Sequence, residues 1–415
     1  MAINSSIMYN VKSIKLFLMA TNDSAINDLL TRGVEEVIDK AHLEAALKGK
    51  KKLRVKLGID PTSPNIHIGR AVVLWKLRAF QELGHKVVFI VGDFTGLIGD
   101  TSDKDSERPM LTEQQVKANL KTYFSQAFKI LDKKKTETHY NSEWLKKLGF
   151  LEIATMANLF GLHEMEAREN IAVRMKAGKR VSFRELMYPL MQGYDSVAVK
   201  ADVELGGTDQ RFNLLAGRTI QLFYKQKSQD ILMVPLMEGT DGRKMSSSWG
   251  NVVNITDEPN NMFGKIMSVP DNLIEKYFLL ATRTPLEEIK RIKTELANPR
   301  DQKLILAQSI TSLYHGNKSA ADAKEAFINQ FAKGNLPEQI EEKKITSSTT
   351  HPTVYKLSIL LKLAGLAASK GEARRLIEQK GVKVDGKASQ DIELKLDGKT
   401  EYLLQVGKRK FLKVK

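Results

Sequence analysis

The chain has 415 residues, enough for two or three domains with a sizeable core, and its 42% apolar and 27% charged residues are ordinary for a folded protein. A formal net charge of +16 points to an anionic partner or to a uniformly basic proteome. With no cysteine, disulfides and thiolate metal sites are excluded; no HExxH spacing suggests a metal, and no run approaches the ~20 apolar residues of a membrane span.

The first stretch, "KSIKLFLMA" (12–20), is too short for a secretory signal and has no cleavage site. Residues 1–20 carry lysine but no acid, which suits an organellar targeting segment or a true start at Met19. "LRVKLGI" (53–59) predicts a strand. The following run, with Val73, Leu74, Leu77, Phe80 and Leu83 near a 3.6-residue spacing, predicts a helix that ends at Gly84. "KVVFIVG" (86–92) predicts a second, buried strand. Strand, helix and strand make a βαβ unit, hence an α/β domain with a parallel sheet. Ligands bind beyond the carboxyl ends of such strands, and His67 lies there.

Residues 112–131 and 151–187 read as mostly helical. "DILMVPLM" (230–237) reads as another buried strand, followed by the loop "EGTDGRKMSSSWGN". From Glu258 to Phe331 only helical patterns occur. "KGNLPEQIEEKKITSSTTHPT" (333–353) is polar and rich in Ser and Thr, as a linker is. Residues 351–415 hold 15 Lys and Arg against 7 Asp and Glu, a net of +8 and half the excess charge of the chain. There "VYKLSILLKLAGL" and "SKGEARRLIEQKG" predict helices, and "VKVDG", "KTEYLLQVG" and "KRKFLKV" predict short strands. The expected division is an extension (1–30), an α/β domain (31–250), a helical domain (251–335), a linker (336–352) and a small α+β domain (353–415).

His67 stands in "SPNIHIG", where a turn becomes a helix. Free backbone N–H groups and the positive end of the helix dipole suit a polyphosphate there. Gly69 lets a flat base approach the backbone with no Cβ in the way. Alone, HxG reads rather as a turn histidine that helps to cap its helix. "KMSSS" (244–248) follows a strand in a glycine-flanked loop. Lys244 is there a movable charge for a phosphate chain, or a solvated lysine. In "YPLMQGYD", Tyr188, Gln192 and Asp195 are spaced i, i+4, i+7 and share a helix face. Among Leu and Met they line a pocket for a small polar molecule, or are satisfied within the core. "GGTDQ" (206–210) gives two glycines for close approach, then an acid and an amide.

As a pair, HIG and KMSSS resemble the HIGH and KMSKS signatures of class I aminoacyl-tRNA synthetases. "GIDPT", "TGLIGD", "YNSEWL", "YPLMQGYD", "GGTDQRFN" and "DGRKMSSS" stand in the order found in the bacterial tyrosyl-tRNA synthetases. The resemblance runs from about Gly33 to the C-terminus, whose last block resembles an S4 RNA-binding domain. It implies a Rossmann-like catalytic domain, an α-helical anticodon-binding domain and an S4-like domain. It also implies a cytoplasmic homodimer that uses ATP with Mg²⁺, L-tyrosine and tRNA(Tyr), with no structural metal.

On this resemblance Asp100, Tyr188 and Gln192 take the substrate ammonium, Asp195 accepts the phenolic hydroxyl, and Asn141 lines the pocket. Gln210 lies near the reacting carboxylate. Gly58, Asp60, Gly69 and Met245 belong to the nucleotide side, and Gly207 and Asp209 hold its ribose. Thr62, His67 and Lys244 act on the phosphates, with Lys104 and Arg108 as cations of a mobile loop or merely of a solvated one. In the tail Lys370, Arg374 and Arg375, spaced i, i+4, i+5, suit RNA phosphates.

Three positions depart from the pattern. Arg70 stands last in HIGH, where it can still donate to ribose or phosphate, and Ser247 replaces the second lysine of KMSKS. Lys56 occupies the place where one branch of the family has a tyrosine that reaches the substrate phenol; a second branch has lysine there. Lys56 could donate to the phenol or pair with Asp195. Two other readings remain at this level: a nucleotidylyltransferase with an HxGH-like motif, and a paralogue that only binds RNA.

Overall fold

A computed structural model describes residues 22–101, 110–332, 340–345, 353–396, 400–407 and 410–415. The chain forms two compact units, 1–324 and 325–415. The expectations for residues 1–20, and for Lys104 and Arg108, lie outside the described residues. Among the described residues no helix is long and apolar enough to cross a membrane.

The first unit is built on six strands: β1 (Glu36–Ile38), β2 (Arg54–Ile59), β3 (Lys86–Val91), β4 (Thr136–Tyr140), β5 (Val203–Gly207) and β6 (Asp230–Val234). Their order is β1-β6-β5-β2-β3-β4. All neighbours run parallel except β1, which pairs antiparallel with β6. The expected strands at 53–59, 86–92 and 230–237 are β2, β3 and β6. Strands β3 and β6 are apolar runs buried on both faces, as a sheet covered by helices requires. The helix Ile68–Glu82 crosses from β2 to β3 and buries Leu74, Leu77 and Phe80. The chain leaves β2 toward β3 on one side, while β5 lies on the other. Beside β2 the order therefore reverses, the place where open α/β sheets bind ligands.

Residues 259–332 are helical, as expected. The last helix, Pro299–Ala332, is broken at Gly316, whose φ of 81° suits glycine. Within the first unit, Arg32 donates to the carbonyls of Phe278, Leu279 and Thr282, and Tyr277 Oη donates to the Glu238 carbonyl.

Among its described residues beyond 332, the second unit holds two helices, Leu357–Ala364 and Lys370–Glu378, and seven short strands. These are β7 (Glu342–Lys343), β8 (Thr353–Lys356), β9 (Val382–Val384), β10 (Lys387–Ala388), β11 (Glu393–Leu396), β12 (Tyr402–Val406) and β13 (Lys410–Val414). They form a five-stranded sheet, β10-β9-β12-β13-β7, and the pair β11-β8. Leu357, Leu360, Leu361, Ala373, Val382, Leu404 and Val414 share its core. One local expectation fails: Val354–Lys356 is not the start of a helix but a strand, because its backbone pairs with Glu393–Lys395 of β11.

Candidate active site

The two signature motifs meet through backbone pairing. His67 bridges Asn254, Ile68 N–H donates to the Val253 carbonyl at 2.8 Å, and Ile255 N–H donates to the Ile66 carbonyl at 2.9 Å. The segment that follows KMSSS is thereby laid beside HIG. The loop itself is held by Asn251, whose Oδ1 accepts from Ser246 N–H at 2.8 Å and whose Nδ2 donates to the Lys244 carbonyl at 3.0 Å. Between the motifs and the carboxyl ends of β2, β3 and β5 lies a cavity of about 750 Å³. That is within the ordinary range for a site that takes a nucleotide or a small substrate.

Asp195 lies at one end. It is buried on the helix Phe183–Val199, and Tyr188 and Gln192 line the cavity from the same helix. Its Oδ1 accepts from Trp144 Nε1 at 2.7 Å, and its Oδ2 accepts from Asn141 Nδ2 at 3.2 Å. Burial dominates the carboxyl and lifts its pKa to about 7, against the opposing effects of Lys56, Trp144 and Asn141. Both N–H bonds of Asn141 are used, since its Nδ2 also donates to Thr95 Oγ1, and its Oδ1 accepts from Phe94 N–H. Trp144 belongs to the quoted "YNSEWL", yet only the fold shows that its indole reaches Asp195.

The middle of the cavity is a network of acids and amides. Tyr188 Oη donates to Asp60 Oδ2 at 2.9 Å, and Thr95 Oγ1 donates to Asp60 Oδ1 at 2.6 Å. This packing needs Gly92: a Cβ there would come within 2.1 Å of Asp60 Oδ1 and 2.2 Å of Thr95 Oγ1. Gln210 Nε2 donates to Asp100 Oδ2 at 2.7 Å.

At the other end stand the groups expected on the nucleotide. Gly58, Thr62, His67, Gly69 and Arg70 line the cavity from β2 and the start of its helix, and Gly207, Asp209, Lys244 and Met245 face them. A Cβ on Gly69 would lie 3.2 Å from Met245 Sδ, so the bare glycine sets the gap between the motifs. Lys244 Nζ lies 3.4 Å from Asp209 Oδ2. His67 caps its helix and also lines the cavity, so the two readings of the sequence do not exclude each other. It is the N-cap, with Nδ1 accepting from Arg70 N–H at 3.3 Å. In that tautomer Nε2 carries the proton. Burial, with Arg70 and Lys244 nearby, lowers its pKa to about 3, so the ring is a neutral donor at physiological pH.

Lys56 lies elsewhere. It is fully buried, outside the cavity lining, and its ammonium donates to Glu204 Oε1 at 2.8 Å and to Ser196 Oγ and the Gln192 carbonyl, both at 2.9 Å. Three partners use all three N–H bonds, so it donates to neither Asp195 nor a molecule in the cavity. Its partner Glu204, which also accepts from Ser196 Oγ and Gln192 Nε2, carried no sequence signal.

Among the described residues, Asp39, His42 and Asp230 bring three potential metal-ligand atoms within 4.8 Å of one another. They sit at the amino end of β6, away from the cavity, and His42 Nδ1 lies in hydrogen-bond contact with the Asp230 carboxylate at 3.0 Å. In the second unit Lys370, Arg374 and Arg375 are all exposed on one helix, while Ala373 and Ile377 of that helix enter the core.

Comparison with known proteins identifies the family of the chain. A profile of the class I tRNA synthetases (W and Y) matches residues 48–332, and one of the S4 domain matches residues 356–401. The chain is 46% identical to the tyrosine–tRNA ligase of Thermotoga maritima over 391 residues, covering 93% of this chain and 96% of that protein. It is 47% identical over 397 residues to the tyrosine–tRNA ligase of Carboxydothermus hydrogenoformans, covering 93% and 97%. Among solved structures, a C-terminally truncated mitochondrial tyrosyl-tRNA synthetase of Aspergillus nidulans superposes with a TM-score of 0.62 at 20% identity, covering 77% of this chain and all of that one. The tyrosyl-tRNA synthetase of Archaeoglobus fulgidus complexed with L-tyrosine gives 0.59 at 22% identity, covering 73% and 100%. At such identities the structures speak for the fold alone.

Proposed function

Because the chain belongs to the tyrosine–tRNA ligases of class I, we propose that its cavity activates tyrosine with the phenol at Asp195 and the ATP phosphates between His67 and Lys244. The observation that carries this reading is the polarity of one cavity, which has a buried carboxylate at one end and donors at the other. Asp100, Tyr188 and Gln192 hold the substrate ammonium between those ends, and Gln210 lies beside the reacting carboxylate. ATP enters as its Mg²⁺ complex, with the ion carried by the phosphate oxygens. Gly207 and Asp209 take its ribose, and the base lies by Gly69 and Met245.

The tyrosine carboxylate attacks the α-phosphorus in line. The bond to the bridging oxygen breaks, pyrophosphate leaves, and tyrosyl-adenylate remains. No protein nucleophile is needed. Catalysis is positioning, together with donation from Thr62, His67 and Lys244 to charge that grows on the phosphates. A ribose hydroxyl of the terminal adenosine of tRNA(Tyr) then takes the tyrosyl group. A nucleotidylyltransferase or a merely RNA-binding paralogue is not favoured, since the likeness to tyrosine–tRNA ligases spans 93% of the chain.

The helical part up to residue 335 reads the anticodon, and the tail from residue 353 binds RNA phosphates. Deleting residues 352–415 is expected to leave tyrosine-dependent pyrophosphate exchange near the full-length rate while tRNA charging fails; equal loss of both would contradict the division. Within the tail, replacing Lys370, Arg374 and Arg375 by alanine should shallow the salt dependence of tRNA binding by roughly one unit of slope per lost phosphate contact. Titrations at several salt concentrations check it; an unchanged slope would place the RNA elsewhere.

The enzyme works as a homodimer in the cytoplasm, where its tRNA and ATP are. Support for the dimer comes from apolar side chains left in water between β4 and β5: Phe150 is 88% exposed, Leu151 80% and Phe183 72%. Adjacent large apolar side chains so exposed, as at Phe150 and Leu151, mark contacts with other proteins. Sedimentation should show twice the 46.7 kDa chain mass and a shift toward monomer in the Phe150→Asp, Leu151→Asp double variant. A wild-type chain that sediments as a monomer would refute the dimer.

A further inference from the structure

The buried phenol of Tyr123 belongs to no motif. Its helix, Tyr123–Ala127, packs behind the DPT turn that follows β2, and its side chain is wholly buried. Arg70 Nη1 donates to Tyr123 Oη at 2.5 Å, and Arg70 Nη2 donates to Thr62 Oγ1 at 2.7 Å. The Asp60 carbonyl accepts from Thr62 N–H at 2.9 Å and lies 3.5 Å from Tyr123 Oη and 3.4 Å from Arg70 Nη1. Asn119 Nδ2 fixes the next carbonyl, that of Pro61, at 2.8 Å. The turn is thus clamped from behind by one phenol, one guanidinium and one amide.

We propose that Tyr123 is a positioning residue for adenylate formation, holding the Arg70 fork so that the Thr62 hydroxyl is turned to donate into the cavity. A threonine hydroxyl has one proton and two lone pairs. Arg70 can only donate, so it occupies a lone pair and leaves the proton free to point away from the fork. Thr62 lines the cavity, so the free proton is available to a polyphosphate bound there. A guanidinium stays charged at every working pH, and its planar fork spans two oxygens at fixed geometry, which an ammonium does not. Buried, Tyr123 has a raised pKa and stays a neutral phenol. The arrangement explains how arginine can serve at position 70, where the family motif has histidine: Arg70 acts through Thr62, and Tyr123 keeps it in place. The proposal rests on the reading that Thr62 acts on the phosphates.

The test is a double-mutant cycle on the rate of adenylate formation with Tyr123→Phe, Thr62→Val and both together. Losing one hydrogen bond to a charged guanidinium should cost Tyr123→Phe about tenfold or more in rate with the KM for tyrosine unchanged. In the Thr62→Val background the same change should cost little more, because the two act as one unit. Arg70→Lys, which retains the charge but not the fork, should reproduce the loss of Tyr123→Phe. A wild-type rate in Tyr123→Phe, a parallel rise in tyrosine KM, or losses that multiply in the double variant would overturn the proposal. A wild-type rate in Thr62→Val would overturn the phosphate role of Thr62 itself, and so the two failures are told apart.

Discussion

An Asp195→Ala enzyme is expected to lose at least about 10²-fold of its preference for tyrosine over phenylalanine, read as the ratio of the two kcat/KM values for pyrophosphate exchange. The substrates differ by one hydroxyl. Apolar contact distinguishes them poorly, but a buried carboxylate left without its donor costs roughly 3 kcal/mol, which is the factor given. Trp144 and Asn141 supply only one hydrogen bond to each oxygen, so the carboxylate has lone pairs left for the phenol. Lys56 does not compete for this role, because its three N–H bonds end on Glu204, Ser196 and the Gln192 carbonyl. Unchanged discrimination in Asp195→Ala, with tyrosine activation intact, would remove Asp195 from the phenol site.

The same carboxyl makes a statement about pH. The unfolded chain loses this proton near the ordinary value of 3.8, the folded one only near 7. Between those values the folded state binds more protons than the unfolded one. Its contribution to stability is therefore complete below the lower value and lost as pH rises through the upper. Asp195→Asn, which keeps an acceptor but carries no charge, should raise the melting temperature relative to wild type more at pH 8 than at pH 5. A gain equal at both pH values would contradict the buried, uphill ionisation. The stored cost is what a site pays when a charge is kept for a ligand rather than for the fold.

His67→Ala is expected to slow adenylate formation by roughly 10²-fold or more, with the tyrosine KM nearly unchanged. That is the usual cost of losing a donor aimed at charge that appears in the transition state. Because Nδ1 accepts from Arg70 N–H, Nε2 is the donor, and because burial lowers the pKa to about 3, the donor is neutral. The kcat profile should accordingly carry no inflection from this ring between pH 6 and 8. Pre-steady-state rates measured across that range check both statements; a wild-type rate in the alanine variant would reduce His67 to its cap.

Much of this was legible in the chain because it is local. The β2–helix–β3 unit is written in apolar periodicity, and the face shared by Tyr188, Gln192 and Asp195 in helical spacing. What was not legible depends on distant partners. Lys56 in "RVKLGI" gives no hint of Glu204, 148 residues on, so the sequence offers the phenol or Asp195 as its partner and the fold supplies neither. Strand β4, "TETHY", lies at the sheet edge with no buried residue, so it lacks the apolar alternation that would announce it. Val354–Lys356 reads as helix by spacing and becomes strand by pairing. Tyr123 and Trp144 are ordinary aromatics until the fold sets their polar atoms against Arg70 and Asp195.

The most direct test of the whole reading is exchange of labelled pyrophosphate into ATP by the purified full-length chain, run with tyrosine, phenylalanine and tryptophan in parallel. Exchange that depends on tyrosine and is at least about 10²-fold weaker in kcat/KM with the other two is the predicted result. No exchange with tyrosine, or exchange as strong with tryptophan, would contradict the assignment of this cavity.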